Sequence, residues 1–336
     1  MADFPLLIVG ARNPAGTITV TAPFDWAELA TVETAGSEHA EQALATAAAC
    51  FKNRAGWLPL HQRVEILDRV AEIMTQRYDE LALGAAAEGG KPLIDSRVEV
   101  TRAIDGIRLC TEVIRAEAGD VVPMGGTAAS AHRVAFTQRE PIGVVVAVSA
   151  FNHPLNLIVH QVAAGIAAGC PVVVKPAEDT PLSCLRFVQI LHEAGLPQEW
   201  AQVVIASERA VSEQLVTDKR LGFFSFIGSA GVGWMLRSKL APGVRCALEH
   251  GGVAPLIVAS DANLELAAPA ITKGGFYHAG QVCVSVQRVF ADQVLAEELA
   301  ADVAERASNL RVGDPTLEDT DVGPLIRHAE TERVHS

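Results

Sequence analysis

The stretch PIGVVVAVSAFNHP, residues 141–154, decides the fold: five apolar residues, Val144 to Val148, run without interruption and end at Ser149 and a Pro-bounded turn. A short continuous apolar run of this kind reads as a strand buried on both faces. The pattern recurs. Residues 172–175, 202–206, 222–227 and 244–248 are further β-rich runs, and between them lie 155–168, 182–194, 209–216 and 232–240, each long enough for a crossover helix. Repeated βα units build an open parallel sheet. Ligands of such sheets bind beyond the carboxyl ends of the strands, so the residues that end each run are the ones to inspect.

Upstream, Leu6 to Val20 with its Asn13-Pro14-Ala15-Gly16 turn signal reads as a short hairpin. Three helices follow: one capped by Ser37 and reaching Phe51, one striped by Leu60, Val64, Leu67, Ala71 and Met74, and one by Val100, Ile104, Ile107 and Ile114. Each stripe reads as core packing. Residues 132–139 are expected as an exposed strand outside the main sheet. Downstream, a strand at 255–259, a helix from Asn263 and a strand at 286–291 read as the opening of a second α/β unit.

Composition removes several function classes. With 336 residues, 49% of them hydrophobic, the chain can bury a large core and form two domains. Its 27 basic and 40 acidic residues give a net charge of −13 without a basic stripe, so nucleic acid is not an expected partner. No apolar run reaches the roughly 18 residues of a membrane span, and residues 1–10 have no basic region before the short apolar run Leu6–Val9, so neither membrane insertion nor secretion is expected. Six cysteines occur with no CxxC pair and no His at zinc-ligand spacing. That implies free thiols, a reducing cytoplasm and no metal site.

Four run ends carry residues whose chemistry converges. Asn152, after the first run, can donate to a developing oxyanion or simply cap a helix. Lys175 and Glu178 can hold ribose hydroxyls or form a strand-ending charge pair before a Thr-Pro helix start. Residues 226–233, FIGSAGVG, let a helix N-terminus approach a pyrophosphate, although their glycine order differs from the GxGxxG fingerprint. Glu249, before Gly251 and Gly252, can act as a general base or a turn carboxylate. Cys283 ends the segment Gly280-Gln281-Val282-Cys283 and can be a nucleophile or a small core residue.

In content, order and approximate spacing these clusters resemble the aldehyde dehydrogenase superfamily from Leu6 to Val334. The resemblance implies an aldehyde dehydrogenase-like α/β fold, with residues 1–248 as an NAD-binding domain containing a bridging strand near 120–140 that serves oligomerisation. Residues 249–336 are then the first part of a catalytic domain. It further implies that Cys283 is the nucleophile, Glu249 the general base, and Asn152 the side-chain half of an oxyanion hole completed by the Cys283 N–H. Lys175 and Glu178 would grip the adenosine ribose, Gly228 and Ser229 face the pyrophosphate, and Val148, Phe151 and Gly251 complete the cofactor's surroundings. NAD rather than NADP is the expected cofactor, since a carboxylate at 178 accepts from a 2′-hydroxyl and repels a 2′-phosphate. A thiolate adds to the aldehyde, hydride leaves, and a water activated by a partly buried Glu249 resolves the thioester.

Two departures mark the pocket: Ala150-Phe151 stands where the family usually has Pro-Trp, and His250 where it has Leu. His153 and Arg102 are candidates to meet an anionic substituent on a small aldehyde, Arg102 otherwise being a solvated charge opposite the apolar stripe. The family also carries a Glu-containing segment for the nicotinamide ribose downstream of the cysteine, beyond Ser336, so the resemblance implies a truncated product. A homodimer or homotetramer is expected of a full-length member. Two other functions stay open: a CoA-acylating aldehyde dehydrogenase, against which Glu249 argues, and a catalytically silent relative.

Overall fold

The computed structural model describes residues 3–206 and 208–335. Strands β1 (Gly16–Thr21) and β2 (Glu28–Thr34) form an antiparallel hairpin. Its turn is at 22–27, where Ala22 and Ala27 close a backbone hydrogen bond of 2.9 Å, so the Asn13–Gly16 signal marks the entry to β1 and not the turn. Four helices follow: α1 (Ser37–Lys52), α2 (Leu60–Gln76), α3 (Tyr78–Gly89) and α4 (Leu93–Ala116). Gly36, not Ser37, occupies the cap of α1. His39 Nδ1 accepts from the Gly36 N–H, while the Ser37 hydroxyl turns outward to Gln214 at 2.7 Å. The expected strand at 132–139 is reduced to β4 (Ala135–Phe136), paired with β3 (Val121–Val122) away from the main sheet.

The main sheet holds β5 (Val144–Val148), β6 (Val172–Lys175), β7 (Ala201–Val203), β8 (Leu221–Gly228) and β9 (Arg245–His250), all parallel, in the order β7-β6-β5-β8-β9. Crossovers run through α5 (Asn156–Ala167), α6 (Leu182–Glu193), α7 (Arg209–Thr217) and α8 (Ala230–Arg237). Valine alternation fills both faces of this sheet. Val145, Val172 and Val174 join α2, α4, α5 and α6 in one core, while Val144, Val146 and Val173 join α1, α7 and α8 in the other. Each fully buried Val or Leu contributes about 1.5–3 kcal/mol. Edge strand β9 departs from the expected burial: Arg245, Ala247 and Glu249 are exposed, and among the described residues no strand pairs with its far side.

Beyond β9, β10 (Leu256–Val258) and β11 (Val289–Ala291) form a two-stranded parallel sheet. It packs with α9 (Leu264–Phe276), capped by the Asn263 side chain, and α10 (Ala296–Ser308) around a small core of Val258, Ala268, Ile271 and Leu299; α11 (His328–His335) follows. Among the described residues no helix is long and apolar enough to cross a membrane.

Candidate active site

Register assembles the site. Val148 is level with Lys175 on one side and with Phe226 on the other, while Ile227 faces Glu249 and Gly228 faces His250. The loops after β5, β6, β8 and β9 therefore open at one edge of the sheet. From β5 the chain steps outward to β6 and β7, then returns to the opposite side of β5 as β8. That reversal makes the carboxyl ends of β5 and β8 the switch point of the sheet, where sheets of this kind take ligands.

Asn152 lies on the loop after β5 and donates from Nδ2 to the carbonyl of Gln281 at 3.0 Å. The opposite amide orientation would set two oxygens against each other, so this bond fixes the side chain and leaves one Nδ2 proton free; Oδ1 is buried and unpartnered. Gln281 lies two residues before Cys283, so the bond brings the Asn152 loop to the cysteine segment. From the other side, a Cβ at Gly252 would approach the Cys283 carbonyl oxygen to 2.7 Å, a contact that only glycine permits. Gln287 N–H to the Val253 carbonyl and Val286 N–H to the Gly274 carbonyl, both 3.0 Å, hold the segment that follows. Cys283 is the exposed cysteine of the chain. Glu249, three residues before Gly252, is exposed and makes no hydrogen bond or ion pair among the described residues, so the partial burial expected of it is not found.

Lys175 ends β6 almost fully buried; its ammonium donates to the Pro176 carbonyl at 3.3 Å and lies 3.7 Å from the half-exposed Glu178 carboxylate. Burial holds the Lys175 ammonium below its ordinary range, opposed by Glu178 and Asp179. Gly228 ends β8, and Ser229 takes the cap position of α8 with extended backbone and no side-chain cap bond. Next to it Gly231 opens to solvent, with nothing within 4 Å of where a Cβ would stand. Buried hydroxyls of Ser149, directly after β5, and of Thr180, in the loop between β6 and α6, have no partner among the described residues. Val148 is half-buried, Phe151 lies 6.3 Å from the His278 ring, and Gly251 is exposed.

The departures are placed as well. His250 packs edge-on to Phe226 and Trp234 at 6.1 and 5.5 Å, filling the space beside Gly233 with its Nε2 buried and unpartnered. His153 stacks on Tyr277 at 6.1 Å, with the Tyr277 hydroxyl 3.5 Å from its Nε2. Burial first, then the charge of Lys91, pushes the His153 imidazole down to about 4, so it is neutral and offers an N–H rather than a cation. Arg102 is exposed on α4, and its charge acts on both His153 and Tyr277.

Three charged residues at this site have no motif in the sequence: Glu88, Lys91 and Glu99, all fully buried. Glu88 accepts from the N–H groups of Leu182 and Ser183 at 2.8 and 2.7 Å, capping α6 after the Lys175–Glu178 loop. Glu99 does the same for α5 and pairs with Lys91. A carboxylate inside an apolar stripe is the available signal. Glu99 stands four residues before Ala103, on the face of α4 that meets the core.

The aldehyde dehydrogenase family profile matches residues 10–336. A 3-sulfolactaldehyde dehydrogenase of Priestia aryabhattai is 37% identical over 306 residues, which cover 91% of this chain and 63% of that protein. Among solved structures, glyceraldehyde-3-phosphate dehydrogenase GapN from Methanocaldococcus jannaschii, complexed with NADP, is similar with a TM-score of 0.88 and 33% identity over 97% of this chain and 70% of its own. Aldehyde dehydrogenase 21 from Physcomitrella patens, in complex with the reaction product succinate, gives 0.90 and 31% over 97% and 67%. The chain spans about 63% of the length of curated relatives such as the 3-sulfolactaldehyde dehydrogenase and a lactaldehyde dehydrogenase of Methanocaldococcus jannaschii.

Proposed function

Because the chain belongs to the aldehyde dehydrogenase family, we propose that it oxidises an aldehyde to a carboxylic acid through a thioester on Cys283. The observation that carries this is the bond from Asn152 to Gln281, which sets an amide donor beside an exposed cysteine whose backbone is held against Gly252. The Cys283 thiolate adds to the carbonyl carbon, and the oxyanion that forms is met by the free Asn152 proton and the Cys283 N–H. When bound, the nicotinamide cofactor supplies the acceptor for the departing hydride. Glu249, unpaired and open to water, takes a proton from the water that attacks the thioester.

Residues 1–248 serve in this reading as the cofactor-binding domain and 249–336 as part of the catalytic domain. The open Gly231 turn at the N-terminus of α8, the unpartnered hydroxyls of Ser149 and Thr180, and the Lys175–Glu178 pair suit a dinucleotide with free ribose hydroxyls, and Glu178 favours NAD over NADP. The substrate is a small aldehyde with an anionic substituent, met by the Arg102 cation and a neutral His153 N–H. The named relatives include one acting on 3-sulfolactaldehyde and one crystallised with succinate. Exposed Val121, Val134 and Phe136 on and beside the β3–β4 ribbon suit burial against a second copy of the chain, and six free cysteines suit a cytoplasmic location.

The test is reduced-nicotinamide formation with NAD or NADP, with and without CoA, over neutral, anionic and cationic aldehydes. Turnover with NAD that needs no CoA and is fastest for anionic aldehydes is expected. Dependence on CoA would replace water by a thiol as the resolving group, and Arg102→Ala with an unchanged substrate ranking would remove the anion preference.

A further inference from the structure

Helix α5 begins at Asn156 without a side-chain cap of its own, since Leu155 fills the cap position. A single oxygen of Glu99, reaching in from α4, accepts both the Leu155 and the Asn156 N–H at 2.9 Å. Its other oxygen pairs with the Lys91 ammonium, and both side chains are wholly buried. Lys91 also extends to the backbone carbonyl of Asn152 at 3.4 Å. One carboxylate and one ammonium thus hold the loop 152–156 at both ends, while the bond to the Gln281 carbonyl sets the Asn152 amide that projects from it.

Building on the reading of Asn152 as an oxyanion donor, we infer that the Lys91–Glu99 pair is a positioning device for that donor. Glu99 supplies the missing cap of α5 and so fixes where the loop ends; Lys91 draws in the Asn152 carbonyl and so fixes the backbone from which the amide projects. Neither side chain is the donor to the oxyanion. Their effect is geometric, and it falls on reactions that pass through a tetrahedral oxyanion at Cys283 and not on reactions of the same thiol that form none.

That distinction gives a test which needs no nicotinamide. p-Nitrophenyl acetate acetylates a thiolate through a tetrahedral oxyanion and releases p-nitrophenolate, whereas iodoacetamide alkylates it by direct displacement of iodide. Both are followed on the Cys283 peptide by mass in the whole chain. In Glu99→Gln, which keeps an oxygen for the two N–H groups but not the ionic pair, and in Lys91→Met, acetylation should slow about tenfold while alkylation stays within about twofold. Asn152→Ala should slow acetylation by about a hundredfold, and adding Glu99→Gln to it should cost nothing more. Should Lys91→Met not fold, the near-isosteric Glu99→Gln decides alone. Parallel loss of both reactions, or a full further loss in the Asn152→Ala background, overturns the positioning role. If unsubstituted Cys283 takes no acetyl group, it is the assignment of the nucleophile that fails, and this inference fails with it.

Discussion

The loops that follow β5 and β6 are each fastened by one wholly buried carboxylate, Glu99 and Glu88, whereas the segment bearing Cys283 is tied by the neutral amides of Asn152 and Gln281 and by backbone hydrogen bonds, beside a small core cluster of four buried residues. Around β5 and β6 the valines are almost wholly shielded; around β10 and β11, Ile257 and Phe290 are exposed. Backbone conformation differs too. His278 and Ala279, leading into the cysteine segment, both adopt left-handed φ near +50°, a strained geometry outside glycine. Under the proposed reading, the cofactor-holding groups are built into the more deeply buried part of the molecule, and the nucleophile is carried by the less buried part. Local stability of this uneven kind is usual where one element must move and another must not.

Removing the nucleophile should separate the two regions most sharply. Cys283→Ala is expected to lower aldehyde oxidation on the order of 10⁴-fold or more while NAD affinity stays within about twofold, as measured by turnover and by equilibrium titration. Loss of affinity in step with turnover would mean that the two regions are not separable. Glu249→Gln comes next: steady-state turnover should fall about 10²–10³-fold while one equivalent of reduced nicotinamide still forms in a burst. A burst that disappears together with the steady state would place Glu249 before hydride transfer.

Within the more deeply buried region the two capping carboxylates differ, and pH should reveal it. Glu99 has Lys91 as its counter-ion. Glu88 makes no ion pair among the described residues, and burial pushes its carboxyl up to about 7 from an ordinary 4.5, against the hydrogen bonds of Ser183, the charge of Arg186 and the N–H of Leu182. Between those values the folded chain keeps a proton that the unfolded chain has released. Stability linked to Glu88 is therefore present at acid pH and lost as pH rises through about 7, by up to about 3 kcal/mol. Denaturant titrations at pH 5 and pH 8 should show this loss in the unsubstituted protein and not in Glu88→Gln, which resembles the protonated acid. Equal losses in both would refute it. The smallest effect concerns Glu178, half-exposed beside Lys175: Glu178→Gln should narrow the preference for NAD over NADP roughly fivefold, the scale of one like-charge contact of about 1 kcal/mol at such exposure.

The strands of the more deeply buried region were readable because Val144–Val148 and Val172–Val174 are continuous, and a buried parallel strand leaves that trace. Candidate site residues stood out where a run end coincided with a reactive side chain, as at Asn152, Lys175 and Glu249. Helix α3 was missed because, apart from Leu81, its buried face is Ala82, Ala85, Ala86, Gly89 and the charged Glu88, too little apolar contrast to show a period. The hairpin turn was misplaced because Asn13-Pro14 outweighs Pro23 and Asp25 as a local signal, while strand pairing selected the latter. Lys91 and Glu99 stayed silent for a different reason. Their partners are backbone groups at 152–156, more than fifty residues away in sequence, and no local pattern encodes that meeting.

The central claim, that Cys283 carries the acyl group, is tested most directly by quenching Glu249→Gln in the presence of NAD and an anionic aldehyde and mapping the adduct by peptide mass. The expected result is one acyl group, on Cys283, appearing only when NAD is present and only together with reduced nicotinamide. Carboxylate product formed with no acyl group on Cys283, or continued turnover in Cys283→Ala, would contradict it.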